Sequence, residues 1–594
     1  MMRALPSSVS LLCGIALCSS LLVAFGTACT KKAVNNGDAG ASEPGERSGA
    51  AKPVEERIAK AASPKSFAIA YTASVQGYVT PCGCTAEPLG GVARLSALLD
   101  ELDVAYDERV LFLDAGDLLF EKADDNLPAD KCQAEARIDL LLSTYARKGL
   151  VATVRGPLDD VRGASFRDER LAKYGIVTLG VPDAGRPLQA GAKHETGILQ
   201  DMNGIKVGIT GVTLPEGEGA LDSHRAALAS EALRLREAGA SIVVVLAQAT
   251  RPAARRLTAD LSAIDVVILG RRPGELPSAP ERLGAKGPLL VAAGMQAQHL
   301  GILEFHLENR VAGQPLTLDE RVAAAERRAR LLDVRIEQYE AQIAELKPGP
   351  RKEFLQKRVD RAKGERADVL AGARTAAPPQ EAYVRVQALP LPRGSTEERR
   401  AAEELAAYEK EIPTLVASCE AGIVCEKPAP GAPVYVGANS CQGCHAQAFA
   451  FWREQKVESE GKDKDGNVTL RTLSHASAWQ TLVADKKDKD RTCIGCHSVG
   501  FNEPGGYCRS SDVGDFKGVQ CESCHGPGSL HVQSGGAPQH INRVVKESTC
   551  RGCHQVPHIP TTESFVYEDK LKWILGPGHG EERLRGSPAS SSAP

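Results

Sequence analysis

The chain has 594 residues, of which 42% are hydrophobic and 25% are charged, and its formal net charge is −3. This length exceeds what one hydrophobic core usually organises, so three or four units are expected. The near-neutral charge excludes the basic footprint of a nucleic-acid-binding protein, and no nucleic-acid partner is predicted.

The N-terminus has the pattern of an export signal. A basic start precedes an apolar run over residues 9–25, and small residues precede Cys29. Residues 1–28 are therefore predicted to be a signal peptide. Cys29 resembles the lipidated cysteine of bacterial lipoproteins, although Gly26 stands where that pattern prefers Leu, and ordinary signal-peptidase cleavage is the alternative. The resemblance implies a lipid-anchored protein of the periplasm or cell envelope, and Thr30 in place of Asp favours the outer membrane.

The next two segments differ sharply in composition. Residues 29–65 are rich in Ala, Gly, Glu, Ser, Lys and Pro, which predicts a flexible tether. Residues 66–308 alternate short apolar runs with helical patterns, which predicts an α/β layer fold. Strands are predicted at 67–72, 110–114, 206–212, 241–247, 265–270 and 288–293, and helices at 89–102, 135–147 and 225–238.

Three segments of this α/β region carry a resemblance. Residues 71–84, 89–95 and 113–117 resemble the calcineurin-like metallophosphatase domain of periplasmic 5'-nucleotidases, a family that binds two metal ions through five short motifs. Asp117 matches the bridging aspartate. The other motifs have lost most ligand types: Ser74 and Gln76 occupy the first, Asp159 stands alone in the third, Gln248 occupies the fourth, and Arg271 and Arg272 occupy the fifth. The resemblance therefore implies a sandwich that has lost its metals, with a residual phosphoesterase as an alternative.

Residues 309–430 are predicted to be a helical linker. Apolar residues are spaced alternately by three and four positions at Val322, Ala325, Ala329, Leu332, Ile336, Tyr339, Ile343 and Leu346. Residues 348–350 (Pro-Gly-Pro) must end this helix, and a second helical pattern follows at 353–370. The pattern favours an antiparallel hairpin, and a dimerising coiled coil is the alternative. A third helix is predicted to begin at Ser395, with Glu398 completing a capping box.

The residues with a predicted chemical function lie in segment 431–580. The Ser/Ala/Pro tail that follows, 581–594, is predicted to be disordered. The pattern Cys-x-x-Cys-His occurs four times in segment 431–580, and it is the attachment signal of c-type haem. The thiols that would form thioethers are Cys441, Cys444, Cys493, Cys496, Cys521, Cys524, Cys550 and Cys553, and the proximal iron ligands would be His445, His497, His525 and His554. Zinc knuckles are the alternative, but zinc gives no reason for a histidine after every second cysteine. Four covalently bound c-type haems are predicted.

The second axial ligands are predicted to be histidines. None of the four methionines lies in this region, so Met/His ligation is not expected. The remaining histidines of the region are His475, His531, His540, His558 and His579. His531 follows His525 by only six residues and cannot easily fold back to the same iron, so it is predicted to serve a different haem.

Local patterns in this region also carry a resemblance. Residues 435–437, 474–479, 518–531 and 576–580 resemble the tetrahaem cytochrome c that accepts electrons in the hydroxylamine-oxidation chain. The resemblance implies that His475, His531 and His579 are distal ligands. The fourth iron then takes His558 or His540, or stays five-coordinate, as that family allows.

Several cysteines remain outside the haem motifs. Cys82 and Cys84 are too close in sequence for an ordinary mutual disulfide, so they pair elsewhere, bind a metal or act in redox chemistry. Cys419 and Cys425 are predicted to pair with each other, because an exported protein meets an oxidising compartment.

Together these patterns predict a multidomain protein: an α/β metallophosphatase-like sandwich, a helical hairpin linker, and a mostly helical or irregular multihaem domain. The favoured function is electron transfer between redox protein partners, with no catalytic residue and with the sandwich as a scaffold or docking module. The alternative is a multihaem oxidoreductase in which one open iron acts on a small nitrogen or sulfur compound.

Overall fold

The computed structural model describes residues 63–81, 88–121, 131–181, 194–214, 221–270, 279–311, 314–454, 457–462, 468–471, 475–484, 486–510, 514–554, 566–576 and 579. The predicted signal peptide, tether and C-terminal tail lie outside these ranges, as do Cys29, Cys82, Cys84 and His558. The described residues belong to one compact unit, Ser48–Pro594. Within the described ranges, no helix is both long enough and apolar enough to span a membrane.

Two sheets form the centre of the α/β region. Its strands are β1 (Ser66–Thr72), β2 (Val110–Asp114), β3 (Leu150–Val154), β4 (Val177–Leu179), β5 (His194–Glu195), β6 (Gly197–Met202), β7 (Ile205–Thr213), β8 (Ile242–Gln248), β9 (Val266–Leu269), β10 (Glu281–Arg282), β11 (Leu289–Val291), β12 (His299–His306), β13 (Thr317–Leu318) and β14 (Tyr383–Pro390). In the described residues, the first sheet has the order β13-β14-β12-β1-β2-β3-β4-β5 and the second β10-β11-β9-β8-β7-β6. β1, β2, β3 and β4 run parallel, as do β7, β8 and β9.

Helices cover the outer faces of both sheets. The helices in this part of the chain are α1 (Val92–Tyr106), α2 (Lys131–Arg147), α3 (Ala164–Lys173), α4 (Leu221–Glu237), α5 (Arg251–Thr258), α6 (Arg321–Glu345), α7 (Pro350–Thr375) and α8 (Arg399–Glu420), of which α6 and α7 form a separate hairpin. One apolar core lies between the two sheets. A second lies between the first sheet and α1, α2 and α8, and a third joins the second sheet to α4 and α5. The result is an α/β/β/α sandwich, which confirms the predicted layer fold.

The first sheet continues beyond residue 308. Strand β14 pairs antiparallel with β12 along its whole length, from His299 opposite Pro390 to His306 opposite Tyr383. Buried Arg385 on β14 lies between the carboxylates of Glu304 and Asp319, at 3.3 and 2.9 Å. The helical segment predicted as a linker is therefore inserted between two strands of one sheet.

The inserted helices α6 and α7 form the antiparallel hairpin that the sequence favoured. Their small core contains Ile336, Val359 and Ala362. Ion pairs cross between the helices, including Arg328 with Glu365 at 2.7 Å. Since surface pairs contribute little, the buried apolar seam gives most of the hairpin's stability.

Helix α8 begins later than predicted. Its N-cap is Glu398, whose carboxylate accepts hydrogen bonds from the backbone N–H groups of Arg400 and Ala401 at 3.0 and 2.7 Å. The prediction of Ser395 as the cap was therefore wrong. The helix continues to Glu420 and packs on α1 and α2 before the chain enters the haem-motif region.

The haem-motif region consists of short helices joined by irregular backbone. They are α9 (Ala446–Glu454), α10 (Ala478–Ala484), α11 (Arg491–Ile494), α12 (Cys521–His525), α13 (Ser529–Gln533), α14 (Glu547–Arg551) and α15 (Tyr567–Ile574), with strands β15 (Val457–Lys462) and β16 (Val468–Arg471). Its apolar cluster centres on four buried side chains: Trp479, Leu482, Ile494 and Tyr507.

Candidate multihaem site

Each Cys-x-x-Cys-His segment lies on or beside a single helical turn. In the first segment, the backbone N–H of His445 donates to the carbonyl of Cys441 at 2.9 Å, and in the fourth His554 donates likewise to Cys550 at 2.7 Å. Residues four apart in a helical turn share one face, so this turn places the first thiol and the imidazole on the same side of the backbone. One porphyrin needs that arrangement to bond both.

Two pairs of histidines from distant parts of the sequence face each other. The ring centres of His445 and His531 are 6.2 Å apart with an interplanar angle of 18°, and those of His475 and His554 are 6.1 Å apart. A metal binds imidazole nitrogen at about 2.0–2.1 Å, and that nitrogen lies about 1.2 Å from its ring centre, so two imidazoles on opposite sides of one iron have centres about 6.4 Å apart. Both pairs therefore fit an iron between the rings.

Hydrogen bonds from Nδ1–H to backbone carbonyls orient several of these rings. The Nδ1–H groups of His497, His525 and His531 donate to backbone carbonyls of Ala478 at 2.5 Å, Asn542 at 2.6 Å and Ala537 at 3.0 Å, respectively. A proton held on Nδ1 leaves the Nε2 lone pair for a metal, and such outer contacts are typical of histidine ligands.

Burial lowers the pKa of three histidines in this region, His475, His554 and His579. It lowers the pKa of His475 to about 4, with a further contribution from His554. Burial, followed by the charge of Lys570, lowers the pKa of His554. The pKa of His579 is lowered by burial and then by His525 and His445, so His579 lies near both proximal candidates. Neutral imidazole is the form that ligates iron.

The other two candidates differ in position. His540 is exposed at the end of a 3-10 turn, Pro538–His540, and His558 lies outside the described residues. The structure thus brings His531 to His445 and His475 to His554, while its contacts give no such pairing for His540.

The eight thiols of the four motifs, all within the described part of the chain, form no disulfide. Hydrogen bonding to Cys521, together with burial, raises the pKa of Cys441, so the first and third motifs lie in contact. Burial raises the pKa of Cys524 to about 11, with a smaller contribution from nearby Cys550 of the fourth motif. The third motif therefore adjoins both the first and the fourth.

A buried glutamate ties the first and third motifs together. Glu522 is 3% exposed, and its Oε1 accepts from the backbone N–H groups of Val436 and Gly528 at 3.0 and 2.7 Å. Its Oε2 accepts from Gly437 at 2.7 Å. Segment 436–437 leads into the first motif, and Gly528 is the N-cap of the helix that carries His531. Glu522 was not predicted as a functional residue, although it is an acidic side chain between the two cysteines of a haem motif.

The remaining described cysteines form two disulfides. Cys132 pairs with Cys419, and Cys425 pairs with Cys508. The predicted Cys419–Cys425 disulfide is therefore wrong. Helix α8 carries Cys419 onto α2, whereas Cys425 lies beyond the helix end and meets the loop after the second motif.

The cleft at the carboxyl ends of the sandwich strands is filled by its own side chains. Fully buried Gln248 donates from Nε2 to the carbonyl of Ala115 at 2.6 Å, and Ser74 donates to the carbonyl of Gly270 at 2.6 Å. A Cβ on Gly270 would lie 1.8 Å from the Ala115 oxygen, so these strand ends are in direct contact. Among the described residues, no group of three or more His, Cys, Asp and Glu side chains is placed to hold a metal ion.

The carboxylates left in this cleft accept internal hydrogen bonds. Asp159 accepts from the backbone N–H groups of Asp117, Leu119 and Gly156 at 3.0, 2.9 and 2.8 Å. Asp117 accepts from Leu158 at 2.9 Å. Burial and then the charge of Asp117 raise the pKa of Asp159 to about 8 against these backbone donors. The residues present do not fit the two-metal site of the resemblance.

Fold and site together define a multihaem c-type cytochrome domain joined to an α/β/β/α sandwich. Residues 440–526 match the family model described as "Cytochrome c554 and c-prime", so the C-terminal region contains a cytochrome c554 domain. The chain is 33% identical over 137 residues to cytochrome c-554 of Nitrosomonas europaea, covering 20% of this chain and 57% of that relative.

The sandwich is similar to phosphoesterase structures. The 5'-nucleotidase precursor of Thermus thermophilus aligns at 17% identity with a TM-score of 0.40, covering 63% of each chain. A calcineurin-like phosphoesterase of Bacillus subtilis aligns at 17% identity with a TM-score of 0.31, covering 42% of this chain and 87% of that one. The chain spans less than two thirds of both the cytochrome and the nucleotidase precursor.

Proposed function

We propose that this protein carries electrons through four covalently bound, mainly bis-histidine c-type haems. The observation that supports this most directly is the two pairs of facing imidazoles, His445 with His531 and His475 with His554, at separations that fit an iron between the rings of each pair. Haem iron with two nitrogen ligands accepts and releases single electrons at low potential.

The roles of the chain's own residues follow from their contacts. Cysteine thiols of each motif hold a porphyrin covalently, and the adjacent histidine is the proximal ligand. The carbonyls of Ala478, Asn542 and Ala537 hold imidazole protons on Nδ1. Contact between the third motif and its neighbours supports close haem packing, which suits transfer from one haem to the next.

The distal ligands of the third and second haems are the two that are left to assign. His579 lies near His525, which supports His579 as the distal ligand of the third haem. His497 is then the proximal ligand of the second haem, whose distal position is taken by His540 or His558 or stays open. An open iron is the basis of the alternative oxidoreductase function.

The sandwich acts as a scaffold or docking module without phosphoesterase activity. The proposal is supported by the cleft, where the side chains of Gln248 and Ser74 donate hydrogen bonds to backbone carbonyls at neighbouring strand ends. Nucleotidase turnover with added divalent metals should be absent from the purified protein. Turnover that disappears in Asp117→Ala would overturn this part of the proposal.

The protein acts in the cell envelope as an outer-membrane lipoprotein, anchored through Cys29, where redox proteins donate and accept its electrons. Its support is the export signal in the sequence together with haem attachment, which occurs outside the cytoplasm. Mass spectrometry of the N-terminal peptide from membranes should show a diacylated Cys29, and an unmodified N-terminus elsewhere would contradict it.

Electron paramagnetic resonance of the oxidised holoprotein tests the electron-transfer function. Low-spin bis-imidazole signals should account for most of the iron, and intact mass should show four haems per chain. A predominantly high-spin spectrum would contradict the proposal, and one stoichiometric high-spin haem that binds small ligands would favour the oxidoreductase.

A further inference from the structure

The sandwich and the second haem motif meet at a buried polar junction. Gln133 on α2 is 2% exposed, and its side-chain amide both donates and accepts a hydrogen bond across the junction. Its Nε2 donates to Asp490 at 2.5 Å, and its Oε1 accepts from the backbone N–H of Arg491 at 3.2 Å. Asp490 is the N-cap of α11, the helix that carries Cys493. A sandwich helix therefore holds the start of the haem-motif helix directly.

Arg491 forms the centre of this junction. Its guanidinium is buried and donates to the carboxylate of Glu420 at 2.8 Å, at the end of α8. It also donates to the carbonyl of Cys508 at 3.1 Å and to the side-chain oxygen of Asn502 at 2.8 Å. The planar group lies 4.8 Å from the ring centre of Phe501, so the guanidinium uses one face as well as its N–H groups.

Two disulfides flank the same junction. Cys419 immediately precedes Glu420, and its partner Cys132 immediately precedes Gln133. Cys508 contributes the carbonyl that Arg491 binds, and its partner Cys425 follows α8. Each covalent bond thus lies beside a residue of the Arg491 network.

The network continues into the second haem motif. Buried Ile494, with Trp479 and Tyr507, packs against Cys493. The ring of His497 donates to Ala478 on the same helix as Trp479. A displacement of α11 would therefore move the thiol and the imidazole that the second porphyrin needs.

We propose that the sandwich forms part of the second haem site, with Arg491 as the positioning residue and the Arg491–Glu420 pair as the charges that set this haem's potential. The inference rests on the proposed attachment of haem at Cys493 and Cys496. The reason is electrostatic: both charges are buried, and each is compensated by the other. Reduction adds an electron to the haem, so an unpaired cation nearby favours reduction and an unpaired anion opposes it.

Single and double charge-neutral variants of the full holoprotein test this. Glu420→Gln should raise the potential of one haem, and Arg491→Gln should lower it. An unpaired charge near a titrating site changes its equilibrium by about tenfold, which for one electron is about 59 mV. The double variant should return most of the way to the wild-type potential, because both charges are then absent.

Matched controls come from the same helix. Arg399 and Glu403 on α8 form an ion pair whose side chains are 88% and 65% exposed. Arg399→Gln and Glu403→Gln should leave all potentials unchanged, since exposed charges are screened by solvent. Arg491→Lys keeps the cation, so its potential should stay nearer the wild type than that of Arg491→Gln.

Potentiometric titration followed by haem absorbance gives the potentials, and peptide mass mapping gives haem attachment. Attached haem at Cys493 and Cys496 with potentials equal to those of the controls would overturn this inference alone. Wild-type protein without haem at these cysteines would instead overturn the proposed function. If Arg491→Gln fails to fold, Glu420→Gln still decides the sign of the shift.

Discussion

Glu522→Gln should destabilise the haem domain far more than an ordinary surface substitution. The carboxylate accepts from three backbone N–H groups, those of Val436, Gly437 and Gly528, at 2.7–3.0 Å in its shortest contacts. Glutamine has one acceptor oxygen. If that oxygen keeps the bonds to Val436 and Gly528, the new amide group faces the N–H of Gly437, donor against donor.

The magnitude follows from these contacts. Losing a charge-assisted hydrogen bond costs about 1.5–3 kcal/mol, and leaving a buried donor unsatisfied costs about 1–3 kcal/mol. Because Glu522 is 3% exposed, solvent gives little compensation. The expected loss in the free energy of unfolding is therefore about 3–5 kcal/mol.

Denaturant unfolding of the holoprotein, followed by haem absorbance, measures this loss. Glu547 gives a matched control near the fourth motif, since it is exposed and pairs with Arg551 at 2.6 Å. Glu547→Gln should cost less than about 1 kcal/mol. If Glu522→Gln stays within about 0.5 kcal/mol of the wild type, the hydrogen-bond argument is refuted.

The same variant has a spectroscopic readout. Gly528 begins the helix that carries His531, which faces His445 across 6.2 Å. Loosening this helix should convert part of one low-spin haem to high spin, even in protein that remains folded. Glu547→Gln should leave the spin state unchanged.

Three further predictions concern separate parts of the chain. His531→Ala should convert one low-spin haem to high spin in the paramagnetic resonance spectrum. His540→Ala, at an exposed turn, should leave the spectrum unchanged, and a new high-spin signal would instead assign His540 to the second haem. Burial raises the pKa of Asp114 from 3.8 to about 7, so the folded protein holds a proton that the unfolded chain releases. This contribution is complete below about pH 4 and is lost as pH rises through about 7, so the stability of wild-type protein in thermal unfolding should decline with pH by more than that of Asp114→Asn. Replacing Cys132 and Cys419 by Ser should lower the free energy of unfolding by about 2–5 kcal/mol in denaturant titrations.

Local apolar patterns predicted β1, β2, β7, β8, β9 and β11, but they did not predict the central strands β3 and β12. The runs around Phe67 and Val110 are buried parallel strands, because a strand covered on both faces needs a continuous apolar sequence. Strand β14 (Tyr383–Pro390) was missed. Its partner β12 lies across the inserted hairpin, and no local signal reports a pairing between segments so distant in sequence.

The candidate site was predictable where its chemistry is local. One porphyrin sets the spacing of each Cys-x-x-Cys-His motif, so the motif can be recognised in the sequence without knowledge of the fold. The six-residue spacing also predicted that His531 and His525 serve different haems, and the structure places His531 opposite His445. Whether these rings ligate iron stays a prediction.

Disulfide and ion-pair partners that are distant in sequence could not be predicted from the sequence. Disulfide connectivity depends on which cysteines the fold brings together, and Cys132 reaches Cys419 across 287 residues. The ion pair of Arg491 with Glu420 likewise joins two elements that only tertiary packing brings into contact.

The two disulfides impose an order on the maturation of this protein. The loop closed by Cys425 and Cys508 contains all four thiols of the first two haem motifs, Cys441, Cys444, Cys493 and Cys496. If the proposed function holds, four cysteines are oxidised while eight others stay reduced until haem is attached, although thiolates exchange readily with disulfides. Thioether formation would remove the competing thiols permanently. Haem attachment would then protect the two disulfides against exchange.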